Sequence, residues 1–211
     1  MIKCVLFDLD GTLIQTTDII IDTFKVTFEK FLPHVKLTDE DYTNMLGHTL
    51  FQTFGYHTSS DEQVDEMVKF YRKYSNDLIE VELKSYPDAQ EVLEYLKKKK
   101  ITVGVVTSKM REVATHHLEI TDLLPHIDGI VGYEDVKNHK PSAEPILHAL
   151  DLFHAKPEQT IYIGDHENDI ISAKKAGILT CAVTYSLRLK EMLSYQPDYV
   201  VDELTHIKDL I

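Results

Sequence analysis

The amino-acid sequence predicts an α/β fold, in which a mostly parallel β-sheet is flanked by helices and carries an inserted helical subdomain. Short β-branched runs bounded by turn residues recur along the chain, and the later ones alternate with helical segments, which is typical of βαβ units. The interval between the first two predicted strands, residues 14–100, far exceeds a single crossover helix and therefore contains an insertion. With 43% hydrophobic and 27% charged residues, the composition is that of an ordinary globular protein.

Six runs have the composition of strands and are bounded by turn signals. In chain order they are Ile2–Phe7, Ile101–Thr107, Gly129–Gly132, Thr160–Gly164, Thr180–Thr184 and Asp198–Val201. Apolar residues at helical spacing predict helices around Leu93 and around Ile146. A further helix is predicted from about Asn168 to Ala176, because Gly177 stands where a glycine commonly ends a helix.

The long insertion has helical periodicity throughout, from about Thr17 to Lys84. Two pairs of residues in it have the spacing of a helix N-cap and its third helical residue: Thr38 with Asp41, and Ser60 with Gln63. We therefore expect a core made of residues 1–14 and 85–211, and a helical cap made of residues 15–84.

The net charge of −13 creates a field that repels other polyanions. We therefore expect neither nucleic acid nor an anionic membrane as the main partner. A small anionic substrate would need local positive charge, from a metal ion or from a well-placed lysine. The sequence does not predict an oligomeric state.

The two cysteines, Cys4 and Cys181, lie inside apolar runs and do not form a disulfide framework. We expect both to be buried thiols in a reducing compartment. The N-terminal residues lack the pattern of a signal peptide, and no uninterrupted apolar run is long enough to span a bilayer. These features favour a cytoplasmic location.

Polar residues follow four of the predicted strands, directly or shortly after the point where each strand ends. Because the carboxyl ends of parallel strands lie at one edge of a sheet, we expect these residues to converge there. Carboxylates, a hydroxyl group and an ammonium group together are suited to holding Mg²⁺ and a phosphate group. In chain order they are Asp8 and Asp10, then Thr107, Ser108 and Lys109, then Lys140 shortly after the third strand, and finally Asp165 with Asp169.

Each of these sets also has a purely structural interpretation. The Asp10-Gly11 pair is a turn signal, and Thr107 or Ser108 could cap the next helix. Lys140 alone could be a solvated side chain. Asp165 and Asp169 lie four residues apart where a helix begins, and both could simply interact with the positive end of that helix. These interpretations leave Asp8 unexplained, because an uncompensated carboxylate at the end of a buried strand costs several kcal/mol. Four polar sets at successive strand ends favour a site.

Four segments resemble, in order and spacing, the motifs of the haloacid dehalogenase-like phosphohydrolase superfamily. They are "DLDGT", "VVTSK", "KPSAEP" and "GDHENDI". The insertion resembles the small helical cap of the phosphoglycolate phosphatase and β-phosphoglucomutase subgroup. "DEMV" in that insertion, together with "KPSAEP", is most similar to the bacterial pyrophosphatases. The resemblance implies a Rossmann-like core with an inserted cap, and an enzyme.

The resemblance implies that Asp8 is a nucleophile that becomes phosphorylated, and that Asp10 acts first as general acid and then as general base. It implies Mg²⁺ bound by Asp8, the main-chain carbonyl of Asp10 and Asp165, with Asp169 just outside the metal ligands. Thr107, Ser108 and Lys140 are the implied substrate-binding residues. Dehalogenases of this fold lack the second aspartate, so the presence of Asp10 favours phosphoryl transfer.

We therefore expect a Mg²⁺-dependent phosphohydrolase of a small phosphorylated metabolite, with phosphoglycolate and pyrophosphate as first candidates. A phosphomutase of the β-phosphoglucomutase type and a non-catalytic protein that binds a phosphorylated ligand are the alternatives. His166 stands where the family more often has Ser, Thr or Asn, and we expect a surface histidine near a helix start. The segment Gly47–Leu50 is either a loop that reaches the substrate, as in the subgroup, or a plain turn.

Overall fold

The computed structural model describes all residues from 1 to 211, and the chain divides into two compact units. One unit, which we call the core unit, comprises Met1–Gln15 and Lys84–Ile211. The other, the helical unit, comprises Thr16–Leu83. No helix combines the length and the hydropathy that a membrane span requires.

The core unit is built on one six-stranded sheet in which every neighbouring pair of strands is parallel. The strands are β1 (Cys4–Phe7), β2 (Thr102–Val106), β3 (Gly129–Val131), β4 (Thr160–Gly164), β5 (Leu179–Val183) and β6 (Tyr199–Val201). Their order across the sheet is β3-β2-β1-β4-β5-β6. All six predicted strands are present, although the ends of several differ by one or two residues. The predicted α/β fold is confirmed.

The central strands are apolar and fully buried, as expected for a parallel sheet that is covered on both faces. The register aligns Phe7 of β1 with Val105 of β2 and with Ile163 of β4. Because β1 lies between β2 and β4, the residues that follow these three strands are neighbours at one edge of the sheet. This register places the predicted polar residues that follow β1, β2 and β4 side by side.

The helical unit contains four helices: α1 (Thr17–Phe31), α2 (Asp39–Asn44), α3 (Leu50–Gly55) and α4 (Asp61–Glu82). Both predicted N-caps are confirmed, since the side chains of Thr38 and Ser60 accept hydrogen bonds from the third helical residue of α2 and α4. A third cap, which the sequence reading missed, is Thr49 at the start of α3. Gly47, with a φ of 81°, and His48 form the turn before this cap.

The apolar faces of these helices meet in a cluster that is rich in aromatic rings. Phe54 is completely buried, and its ring centroid lies 5.8 Å from that of Phe28 and 5.9 Å from that of Phe24. Burial of such rings supplies a large share of the stability of a small helical unit.

Five helices flank the sheet: α5 (Ala89–Lys98), α6 (Arg111–Ile120), α7 (Glu144–Leu152), α8 (Glu167–Lys175) and α9 (Leu189–Ser194). Ile146 of α7 and Ala173 of α8 pack with Leu6 and Val106 of the sheet in one buried apolar cluster. The predicted end of α8 is confirmed, because Gly177 follows it with a φ of 75°. Short 3₁₀ segments occupy several of the connections.

Both cysteines are free and buried in the core unit, as expected. Burial raises the pKa of the Cys4 thiol and of the Cys181 thiol to about 12. At neutral pH each thiol is therefore protonated and behaves as a small apolar side chain.

Candidate active site

Asp8 and Asp10 follow β1 and point into different surroundings. Asp8 is buried, and its backbone N–H extends the β1–β4 ladder by donating to the Ile163 carbonyl at 2.9 Å. Asp10 is more open, with 26% of its side chain exposed. Gly11 then turns the chain with a φ of 71°, a conformation that favours glycine, and its N–H donates to the Ile14 carbonyl at 2.9 Å.

Three carboxylates meet beyond β1 and β4. One oxygen from each of Asp8, Asp165 and Asp169 lies within 4.8 Å of the others. The Asp165 carboxylate occupies the space beside Gly11, because a Cβ atom on Gly11 would come well under 3.0 Å from it. The Thr12 hydroxyl lies 3.4 Å from Asp165 Oδ1, and the Ser186 hydroxyl donates to the Asp165 main-chain carbonyl. The glycine turn and these hydroxyl groups therefore hold Asp165 in place.

The surroundings disfavour negative charge on two of these carboxylates. Burial, with the nearby charges of Asp169 and Asp10, raises the pKa of Asp8 to about 7, although Lys140 acts in the opposite direction. Burial and the charge of Asp8 raise the pKa of Asp165 well above its ordinary value. A divalent cation would relieve both effects, and carboxylate oxygens are the ligands that Mg²⁺ prefers. The acidic group could therefore hold such a cation.

Lys140 supplies an ammonium group to the site, and its side chain is almost completely buried. Its Nζ lies 2.9 Å from Asp8 Oδ1 and 2.7 Å from Asp169 Oδ1. It also lies 3.1 Å from the hydroxyl oxygen of Tyr162. Burial disfavours the charge, but Asp169 and Asp8 more than offset it and raise the pKa of Lys140 well above its ordinary value. The interpretation of Lys140 as a solvated side chain is wrong.

Asp169 makes two contacts, one at the start of α8 and one with Lys140. Its Oδ2 accepts from the His166 N–H at 3.0 Å and so caps α8, while its Oδ1 binds Lys140. It lies so close to Gly164 that a Cβ atom there would collide with its carboxylate. Glycine at this position is therefore required for the close approach of Asp169 to the end of β4.

Thr107 follows β2 and is buried, with its Oγ1 accepting from the Lys109 N–H at 3.2 Å. Ser108 is exposed. Neither residue caps α6, so that interpretation is wrong. Instead, the carboxylate of Glu134, 23 residues away in sequence, accepts from the Arg111 N–H at the start of α6 at 3.0 Å. Thr107 and Ser108 are consequently not used as helix caps.

The structure gives contacts to two residues that the sequence left without an individual role. Lys109 belonged to the predicted polar set, and its Nζ lies 3.0 Å from Asp10 Oδ2. Tyr162, in the middle of β4, donates its hydroxyl hydrogen to the Val106 carbonyl at 2.8 Å and contacts Lys140. The signal for Tyr162 was a phenol hydroxyl group between two isoleucines of a buried strand.

His166 is mostly buried, with 17% of its side chain exposed, so the expectation of a surface histidine is wrong. Its position at the helix start is confirmed, because its Nδ1 accepts from the Asn168 N–H at 3.1 Å. Burial lowers the pKa of His166, against the opposing effect of Asp169 and Glu167. A neutral imidazole keeps Nδ1 available as the acceptor that caps α8.

The chain is similar to proteins that are already known. A family model described as haloacid dehalogenase-like hydrolase matches residues 5–183. A Clostridium perfringens protein provisionally named pyrophosphatase PpaX is 38% identical, and the alignment covers 100% of this chain and 98% of the relative. Pyrophosphatase PpaX of Bacillus cereus is 35% identical, with coverage of 100% and 96%.

The fold of the chain is also similar to that of solved structures. A haloacid dehalogenase-like hydrolase from Streptococcus pneumoniae superimposes with a TM-score of 0.84 and 28% identity, covering 99% of this chain and 98% of that chain. The family match spans most of the chain, and the named relatives align along its whole length. The chain therefore belongs to the haloacid dehalogenase-like hydrolase family.

Proposed function

We propose that the protein is a Mg²⁺-dependent phosphohydrolase of a small phosphorylated compound, with inorganic pyrophosphate and phosphoglycolate as first candidates. The main observation behind the proposal is a group of three carboxylates beyond β1 and β4, two of which contact the Lys140 ammonium group. The carboxylates are those of Asp8, Asp165 and Asp169. Pyrophosphate is a candidate because relatives of similar length carry the name pyrophosphatase.

Asp8, the main-chain carbonyl of Asp10 and Asp165 would hold Mg²⁺. When bound, the ion supplies positive charge that offsets both the carboxylates and the phosphate of the substrate. We assign Asp169 to holding Lys140, because its two oxygens already accept from Lys140 and from the His166 N–H. The donor set fits the ion, since it consists of oxygen atoms with an excess of negative charge.

In the first step, an oxygen of Asp8 attacks phosphorus, and the bond between phosphorus and the leaving oxygen breaks. Asp10 gives its proton to that oxygen, so the products are an aspartyl-phosphate on Asp8 and a protonated leaving group. The burial of Asp8 supports this role, because a nucleophile shielded from water reacts with the bound phosphoryl group.

In the second step, Asp10 accepts a proton from a water molecule, whose oxygen attacks the phosphorus of the aspartyl-phosphate. The bond between phosphorus and the Asp8 oxygen breaks, which releases phosphate and restores both carboxyl groups. Lys140, Thr107 and Ser108 would bind the phosphoryl oxygens in both steps, and fixed donors of this kind stabilise the charge of the transition state.

The test is release of phosphate from pyrophosphate, phosphoglycolate and glucose 1-phosphate, with Mg²⁺ and with a chelator. We expect activity only with Mg²⁺, and its loss by at least about a thousandfold in Asp8→Asn, because the nucleophile is removed. Asp151→Asn, an exposed residue of α7, is the matched control and should retain activity. Activity that persists in the chelator or in Asp8→Asn would overturn the mechanism.

The same assay separates the alternative functions. Conversion of glucose 1-phosphate into an isomer would favour the phosphomutase, and binding without turnover would favour the non-catalytic protein.

A further inference from the structure

The site contains two ion pairs between an aspartate that follows β1 and a lysine that follows another strand. Lys140 pairs with Asp8 at 2.9 Å, and Lys109 pairs with Asp10 at 3.0 Å. The two pairs differ in exposure, since 7% of the Lys140 side chain but 21% of the Lys109 side chain is accessible to solvent. Lys109 is therefore the ammonium group that a bound molecule can reach more easily.

We propose that Lys109 is a specificity-determining residue, which binds a negatively charged leaving group beside Asp10. The inference rests on the proposed function, in which Asp10 delivers its proton to the leaving oxygen. A cation 3.0 Å from Asp10 Oδ2 would therefore lie near the oxygen that receives this proton. Lys140, which is held by Asp8 and Asp169, would instead bind the oxygens of the phosphoryl group that is transferred.

The backbone of Lys109 is held from two directions. Its N–H donates to Thr107 Oγ1 at 3.2 Å, and its carbonyl accepts from the Tyr133 N–H at 2.7 Å. These hydrogen bonds fix the backbone of Lys109 after β2, while its side chain is partly accessible to solvent. This arrangement suits a group that must meet a ligand without a large movement of the chain.

The class of substrate that Lys109 would favour follows from the charge of the leaving group. When the bridging P–O bond of a diphosphate breaks, its electron pair stays on the bridging oxygen, and the leaving group is a phosphate anion. The Lys109 ammonium would interact with that charge directly. An alcohol that leaves from a phosphate monoester carries no charge once Asp10 has protonated it, so Lys109 would contribute little. The proposed contact therefore favours diphosphates over monoesters of uncharged alcohols.

The alternative is that Lys109 only orients Asp10. In that case the substitution of Lys109 would lower kcat/KM by the same factor for all substrates, because the hydrolysis of each one requires Asp10. A change in the ratio of kcat/KM between two substrates separates the two roles.

The experiment compares kcat/KM for inorganic pyrophosphate and for glycerol 3-phosphate in Lys109→Gln, Lys109→Arg and the wild type. We expect Lys109→Gln to lower the ratio of pyrophosphate to glycerol 3-phosphate by about 10- to 100-fold, the usual effect of losing a hydrogen bond to a charged group. Lys109→Arg keeps the charge and should restore most of the ratio. Lys156→Gln, an exposed lysine remote in sequence, should leave the ratio unchanged.

Equal losses for both substrates in Lys109→Gln would overturn this proposal and leave the proposed function standing. A wild-type protein that hydrolyses neither substrate, nor phosphoglycolate, with Mg²⁺ would instead contradict the proposed function itself. Circular dichroism of each variant shows whether a loss of activity reflects a loss of folding.

Discussion

The hydroxyl oxygen of Tyr162 lies 3.1 Å from the ammonium nitrogen of Lys140, within a strand whose side chains are buried. The same hydroxyl group donates its hydrogen to the Val106 carbonyl, which leaves its lone pairs available to Lys140. A buried ammonium group needs several acceptors, and Tyr162 supplies an uncharged one in addition to the carboxylates of Asp8 and Asp169. Tyr162 is thus a positioning residue for Lys140.

We predict that Tyr162→Phe lowers kcat/KM for phosphate release by about tenfold, since a hydrogen bond to a charged group contributes about 1.5 kcal/mol. The free energy of unfolding should fall by about 1 kcal/mol, because Lys140 loses one of its acceptors. Steady-state kinetics and urea denaturation measure the two effects. Tyr195→Phe is the control, because Tyr195 is 46% exposed. An unchanged kcat/KM in Tyr162→Phe would show that Lys140 does not depend on this hydroxyl group.

The Gly11 turn leads to a second prediction. Gly11→Ala combines backbone strain at a φ of 71° with a collision between the new Cβ atom and the Asp165 carboxylate. We expect this variant to bind Mg²⁺ at least about tenfold more weakly, because Asp165 must move. Isothermal titration with Mg²⁺ measures the change.

Gly177→Ala is the matched control for this variant. Gly177 has a similar φ of 75°, but a Cβ atom there would meet nothing within 4 Å. Both variants should therefore lose about 1 kcal/mol of stability from the strained backbone, whereas only Gly11→Ala should lose Mg²⁺ affinity. Equal Mg²⁺ affinities in the two variants would refute the steric argument.

The acidic group predicts how the binding of Mg²⁺ depends on pH. The pKa of Asp8 is raised to about 7, above its ordinary value, so the metal-free folded protein retains a proton there at pH 5.5 that the ion must displace. We expect Mg²⁺ to bind on the order of tenfold more tightly at pH 8 than at pH 5.5, with a larger increase in Tm at the higher pH.

The sign of the effect on stability follows from the same shift. Because the pKa of Asp8 is higher in the folded state, the metal-free protein loses stability as the pH rises through about 7, and Mg²⁺ should restore it. Thermal unfolding with and without Mg²⁺ at the two pH values measures both effects. Asp8→Asn should reduce the pH dependence and leave the part that is due to Asp165, whose pKa burial also raises. An equal Tm shift at pH 5.5 and pH 8 in the wild type would contradict the prediction.

The aromatic cluster of the helical unit provides a stability test. Phe54 is fully buried, and its ring lies close to those of Phe24, Phe28 and Tyr71. We expect Phe54→Ala to lower the free energy of unfolding by about 3–5 kcal/mol, because it removes a buried ring and leaves a cavity.

Phe51→Ala is the control for this variant, since Phe51 lies in the same helix but is 51% exposed. It should cost no more than about 1 kcal/mol in urea denaturation. Similar losses in both variants would mean that the cluster does not account for the stability of the helical unit.

Local patterns predicted much of the secondary structure. The strands were found because β-branched runs stand between turn residues, and Thr160–Gly164 agrees to the residue. The predicted start of the first strand at Ile2 lies two residues before Cys4, where β1 begins, although backbone hydrogen bonds to the neighbouring strands continue at Lys3. Helix caps within three residues, such as Thr38, were predictable, whereas the contribution of Glu134 to the start of α6 was not. The latter depends on a contact between segments that are distant in sequence.

The sequence by itself determined the six strands, the helical insertion and the placement of acidic and basic residues at strand ends. These follow from local spacing and from the rule that parallel strands share one carboxyl edge. Only the tertiary structure decided which charges pair. Lys140 meets Asp8 across 132 residues of sequence, and Lys109 meets Asp10, because the order β3-β2-β1-β4 places the segments that follow these strands at one edge of the sheet. Distances of this kind, and the burial that raises the pKa of Asp8, depend on how the whole sheet assembles, which no local pattern encodes.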